Sequence, residues 1–175
     1  LVVIASDGEP TDGSVEAALR PLKDLPCWVV VRLCTDEDAV VDFWNQVDAD
    51  LELDMDVLDD VTGEAAEVAA HNPFLAYGLP LHRLREFGCA EKLFDILDET
   101  RLTKPQVLKL VALLYGDDAV ADLPHPDLDW RAFCKRLDDL QRADETKGLV
   151  WHPFHRRTEL WINTRALSRA VGHAC

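Results

Sequence analysis

Apolar positions come in short unbroken runs near the start of the chain and in helical stripes towards its end. Residues 1–4 are all apolar and run into Ser6-Asp7-Gly8, the pattern of a strand buried on both faces. Residues 27–34 form a second run, equally apolar and rich in valine, a composition suited to a strand. Residues 51–58 alternate apolar and acidic side chains. Such period-two alternation predicts a half-exposed strand at a sheet edge, where charge discourages stray pairing. Between these runs, Ser14 is placed to cap a helix with Val15, Ala18, Leu19 and Leu22 on one face, ended by Pro21 and Pro26. Residues 35–38 cap a further predicted helix over 39–47, whose apolar side carries Val40, Val41, Phe43 and Trp44. An alanine-rich helix follows over 64–70. Strands separated by helices at this spacing predict an α/β fold with a mainly parallel sheet and flanking helices. Three strands with three helices make half of a doubly wound domain. The apolar first strand therefore predicts either a larger domain or another chain covering the sheet.

The segment 72–82 holds Pro73, Gly78 and Pro80 but is studded with apolar side chains, so it is expected to pack onto a neighbour. A short helix over 82–87 stops at Gly88, which places the first domain at 1–88. From residue 91 the pattern is helical. Leu93, Phe94 and Leu97 form one stripe. A helix over 105–115 follows, capped by Thr103, with Pro105 in its first turn and Gly116 at its end, and a third spans 130–140. These predict a C-terminal all-helical module at 89–145. Residues 146–175 form an aromatic and basic tail with a short helix over 164–171. The tail contains His152-x-x-His155, but Pro153 argues for an extended segment, and the zinc-protease glutamate between the histidines is missing. The pattern reads as a packing or docking strand.

Composition narrows the classes. At 175 residues, 48% hydrophobic and 29% charged, the chain can build one ample core or two small ones. Its apolar runs are about half of what crosses a bilayer, so no membrane span is expected. A net charge of −15 argues against nucleic acid, whose phosphates call for clustered lysine and arginine. Five scattered cysteines without a C-x-x-C pair suggest reduced thiols and an intracellular setting. Cys27 and Cys34 flank an apolar strand and are expected to be buried and inert.

Two resemblances add to this. Ser6-Asp7-Gly8-Glu9-Pro10-Thr11-Asp12 resembles the T-D-G-x-x-T/S-D segment that ends the fourth strand of von Willebrand factor A domains. The likeness covers roughly residues 1–87, the second half of such a domain, and implies a vWA/Rossmann-like arrangement. It also implies that Asp7 belongs to a metal-ion-dependent adhesion site for Mg²⁺; Asp12, Thr35 and Asp36, at neighbouring strand ends, read as further candidate ligands. The family's D-x-S-x-S motif does not occur here. Leu93-Phe94-Asp95-x-x-Asp98, Leu102-Thr103-x-x-Gln106 and Leu128-Asp129-x-x-x-Phe133 resemble a degenerate pair of EF-hands. The first loop is far shorter than the ~12 residues a calcium loop needs. The second, 116–129, has five aspartates but two prolines and no closing glutamate.

No glycine-rich phosphate loop and no G-x-S-x-G elbow is present, and no enzyme is expected. The preferred reading is a non-enzymatic scaffold subunit that binds other protein subunits, with Phe74, Tyr77, Trp151, Phe154 and Trp161 as contact residues. A Ca²⁺- or Mg²⁺-responsive sensor using the acidic loops is the alternative. A metal-dependent hydrolase joining Asp7 to His152 and His155 is the weaker one.

Overall fold

The three apolar runs do pair. In the computed structural model, which describes residues 1–35, 37–51, 53–143 and 148–171, β1 (Val2–Ser6), β2 (Val29–Leu33) and β3 (Met55–Leu58) form a parallel sheet in the order β1-β2-β3. Val3 stands opposite Val30, and Val30 opposite Asp56. Alternation along the central strand divides the work. Val29, Val31 and Leu33 face a core built with α1 (Val15–Leu19) and α2 (Asp38–Leu51), while Val30 and Arg32 point to the other face. On α2 the buried residues Val40, Trp44, Val47 and Leu51 repeat at helical spacing. The opposite face is covered by α4 (Leu79–Glu86), whose Arg85 reaches Asp56 on β3. Together with the start of α3 (Val61–His71), these elements make up the first of two compact units, Leu1–Glu64 and Leu79–Glu91.

Two strand expectations are corrected. β1 is not buried on both faces: Leu1, Val2 and Val3 are exposed. It pairs with β2 along one edge, and among the described residues its other edge has no strand partner. The core on the α2 side takes only Ile4 from it. β3 does lie at a sheet edge, but it is not half-exposed. Met55, Asp56 and Leu58 are all buried, because the Arg85 guanidinium gives the Asp56 carboxylate an inward partner. The alternating stretch is also shorter than expected, since α2 runs on to Leu51 to complete its stripe.

The second unit comprises Ala65–Gly78 and Lys92–Cys175. Its helices are the later part of α3, α5 (Lys92–Asp95), α6 (Lys104–Tyr115), α7 (Asp117–Ala121), α8 (Trp130–Ala143) and α9 (Thr164–Val171). The start of α6 follows from sequence: Thr103 and Gln106 form a reciprocal capping box, with proline in the first turn. Gly116, at φ +90°, ends it. The unit also holds strands, which lie in the predicted tail 146–175. β4 (Leu149–His152) and β5 (Arg157–Leu160) form an antiparallel hairpin, and Leu75 makes an isolated bridge to Ile162. The loop after α3 packs as anticipated, because its backbone is held to the segment beyond β5. Ala76 N donates to Trp161 O at 2.8 Å, and Asn163 N donates to Phe74 O at 2.8 Å. Gly78 is required there, since a Cβ would stand 2.7 Å from the carbonyl oxygen of Trp151. Among the described residues no helix is long and apolar enough to cross a membrane.

Candidate functional site

Asp7 lies just past the C-terminal end of β1 and is exposed, as is Asp12. The turn between them is organised by others. Ser6 Oγ donates to Gly8 O at 2.8 Å, and the Trp44 indole nitrogen donates to the same oxygen at 3.2 Å. Ser14 caps α1 by accepting from Ala17 N, and Thr35 Oγ1 accepts from Glu37 N at the start of α2. Asp36 lies outside the described residues. Among those described, neither Asp7 nor Asp12 belongs to a group of three ligand atoms close enough to share an ion. In the acidic loop 116–129, residues 117–121 coil into α7, and its aspartates likewise form no such group. A calcium loop needs extended backbone that brings alternate oxygens round one centre, and a helix points them apart.

The aromatic residues divide. Phe74 and Tyr77, expected at a contact surface, are 1% and 0% exposed. They are core residues, placed there by the backbone pairing of 74–76 with 161–163. Trp161 is half-buried. Trp151 and Phe154 are 56% and 51% exposed. Of the five tryptophans, only Trp151 stands out in solvent.

The hairpin gives the reason for this placement. Leu149 pairs with Leu160 and Trp151 with Thr158, so those side chains share one face; Val150, His152, Arg157 and Glu159 share the other. The outward face carries exposed Leu149 and Trp151, with Phe154 in the connecting turn. On the inward face His152, which is buried, lies diagonally from Glu159, and the turn folds His155 back over both. The His152 and His155 rings are 4.0 Å apart between centroids. His155 Nδ1 lies 2.7 Å from Glu159 Oε1, while Arg157 donates to Glu159 Oε2 at 2.9 and 3.1 Å. One ligand atom from each of His152, His155 and Glu159 falls within 4.8 Å of the others. Burial, reinforced by His155, pushes the His152 pKa down against the pull of Glu159, which favours the neutral ring. Glu159 loses some preference for ionisation through burial but regains more from His155 and Arg157, and is held below the usual glutamate value.

The sequence singled out the two histidines but missed Glu159, which is four residues beyond His155 and comes back only because the strand reverses. The available signal was His152-Pro153 followed by the run 157–162, a turn between two strand-like stretches.

The first unit holds a different cluster. Arg85 is buried between Asp56, at 2.8 Å, and Glu64, at 2.6 Å. Nearby, Glu86 accepts from Arg32 and Arg83. Burial works against its ionisation, but these hydrogen bonds outweigh it and lower its pKa. His82, almost fully buried with Nε2 3.5 Å from Glu86 Oε1, is pushed down by burial despite that carboxylate. The Arg32, Arg83 and Arg85 guanidinium groups each donate to a carboxylate of the sheet-and-helix packing, so the cluster holds structure together. Cys34 is exposed, contrary to expectation, because it lies one residue past the end of β2. Burial lifts the Cys134 thiol to about 11, with Lys104 opposing, which leaves it unreactive near neutral pH. No protein family, curated protein or solved structure matches the chain.

Proposed function

We propose that this chain is a non-enzymatic protein-binding module, a scaffold subunit that docks another protein through the outward face of the β4–β5 hairpin. The observation that carries the reading is the exposure of Trp151, beside Leu149 and Phe154, on an ordered hairpin. Large aromatic side chains in solvent are where interface energy concentrates, and apolar clusters at a surface mark interaction sites. The charge around them indicates the partner's chemistry. Residues 148–175 contain four arginines and one glutamate, in a chain whose net charge is −15. Arg156 sits in the turn that carries Phe154. The partner suited to this surface is a protein segment with apolar anchors flanked by acidic residues. The von Willebrand factor A-like reading of the first unit remains part of this proposal. It is supported by the parallel order β1-β2-β3 and by the place of Asp7 after β1.

The test is purification from the native source under mild conditions, comparing the wild-type chain with Trp151→Ala and Phe154→Ala. The wild type retains a partner in fixed stoichiometry, and both variants lose it at unchanged helix content. A partner kept by the variants, or none kept by the wild type, overturns the reading.

A further inference from the structure

We propose that His152, His155 and Glu159 form a binding site for a single zinc ion at the inner side of the hairpin turn. The site is independent of the docking face, which lies on the other side of the same hairpin. Two imidazole nitrogens and a carboxylate oxygen are a donor set that Zn²⁺ accepts in tetrahedral geometry, with the fourth position left to water. Hard Mg²⁺ and Ca²⁺ prefer oxygen ligands throughout and are disfavoured here.

The geometry is close to what coordination needs. Tetrahedral bonds of about 2.0–2.1 Å place ligand atoms about 3.3 Å apart. His155 Nδ1 and Glu159 Oε1 are at 2.7 Å, and the full set lies within 4.8 Å. An ion would take the place of the proton now shared between His155 Nδ1 and Glu159 Oε1, and the two atoms would move slightly apart. His152 and Glu159 are held on one face by strand register, so rotation of the exposed His155 ring is the main adjustment.

The surroundings supply the rest of the site. These three side chains line a cavity of about 40 Å³ together with residues 73–76 and Asn163. One water needs about 10–15 Å³ on that measure, so the ion's fourth ligand has room. Arg157 grips the other oxygen of Glu159, at 2.9 and 3.1 Å, and so aims Oε1 towards the histidines. Such an outer partner orients a ligand and sharpens affinity. The competing reading is a polar latch, in which His155, Glu159 and Arg157 close the turn without an ion.

Equilibrium dialysis of the whole chain against Zn²⁺, in excess Mg²⁺, separates the two. The expected result is one Zn²⁺ retained per chain. Losing an outer partner costs about 10–100-fold in metal affinity, so His155→Ala and Glu159→Gln, which remove ligands, should each lose at least about a hundredfold. Arg157→Gln should fall within that outer-partner range. His155 is exposed, so its removal leaves the fold readable by circular dichroism, and Glu159→Gln keeps side-chain shape. Co²⁺ in place of zinc should give the visible bands of a tetrahedral nitrogen and oxygen site, without thiolate charge transfer. The proposal is overturned if the wild type retains no zinc or if both variants keep it. A thiolate band, which would move the ion to the cysteines, overturns it too.

Discussion

Arg85 is the residue whose removal the first unit can least absorb. It is 4% exposed and holds two carboxylates, Asp56 and Glu64, that have left water with it. Desolvating an ion is costly, and the cost falls on whichever partner is left behind. Arg85→Ala should therefore destabilise the chain by about 3–5 kcal/mol, read as a lowered denaturation midpoint. Arg83, two positions before Arg85 on the same helix, pairs with Glu86 but is 57% exposed. Arg83→Ala should change stability by less than about 1 kcal/mol. Equal effects from the two substitutions would mean that burial is not what distinguishes them. None of this was legible in the sequence. The aspartates of 51–58 read as the solvent face of an edge strand, because nothing local announces a guanidinium 29 residues downstream.

At the level of elements, what could be read was what local chemistry decides. Thr103, Pro105 and Gly116 mark both ends of α6, and the fold uses each of them as expected. The helix over 164–171 appears with the predicted bounds. What escaped was pairing at a distance. The tail's two strand-like stretches read as one docking segment, since a turn at 153–156 fixes no register until the strands meet. Phe74 and Tyr77 read as surface anchors because the segment that buries them lies over 80 residues away. Asn72 shows how such distant elements are joined. Its amide nitrogen donates to Leu97 O and Thr100 O at 2.8 Å, and its oxygen accepts from Leu102 N at 2.9 Å. One fully buried side chain thus fixes the link between α5 and α6 to the end of α3. Stranding a buried polar group costs about 1–3 kcal/mol, and Thr100 can turn to water. Asn72→Ala should thus lower stability by about 2–4 kcal/mol, measured by urea unfolding. A loss below 1 kcal/mol would show that the link is held by its apolar contacts alone. Gln141 plays the same part beside α9, exchanging two hydrogen bonds with the backbone of Ile162.

For the molecule as a whole, the open side of β1 has a consequence for behaviour in solution. An edge strand with unpaired backbone groups is a template for another copy; among the described residues the outer edge of β1 has no strand partner, and its exposed Val2 and Val3 carry no charge. The net charge of −15 opposes such pairing, by a repulsion that acts only across the screening length. That length shrinks from about 30 Å at 0.01 M ionic strength to about 3 Å at 1 M. Light scattering should therefore report monomers in dilute buffer and growing species as salt is added, the reverse of what a charge-driven complex does. Val3→Lys, which plants a charge on the edge, should hold the chain monomeric across the whole range. If scattering stays flat in the wild type, or climbs equally in the variant, the edge is not the adhesive. The expected outcome ties the protein's colloidal stability to its acidic surface, so that the salt concentration of storage would set its shelf life.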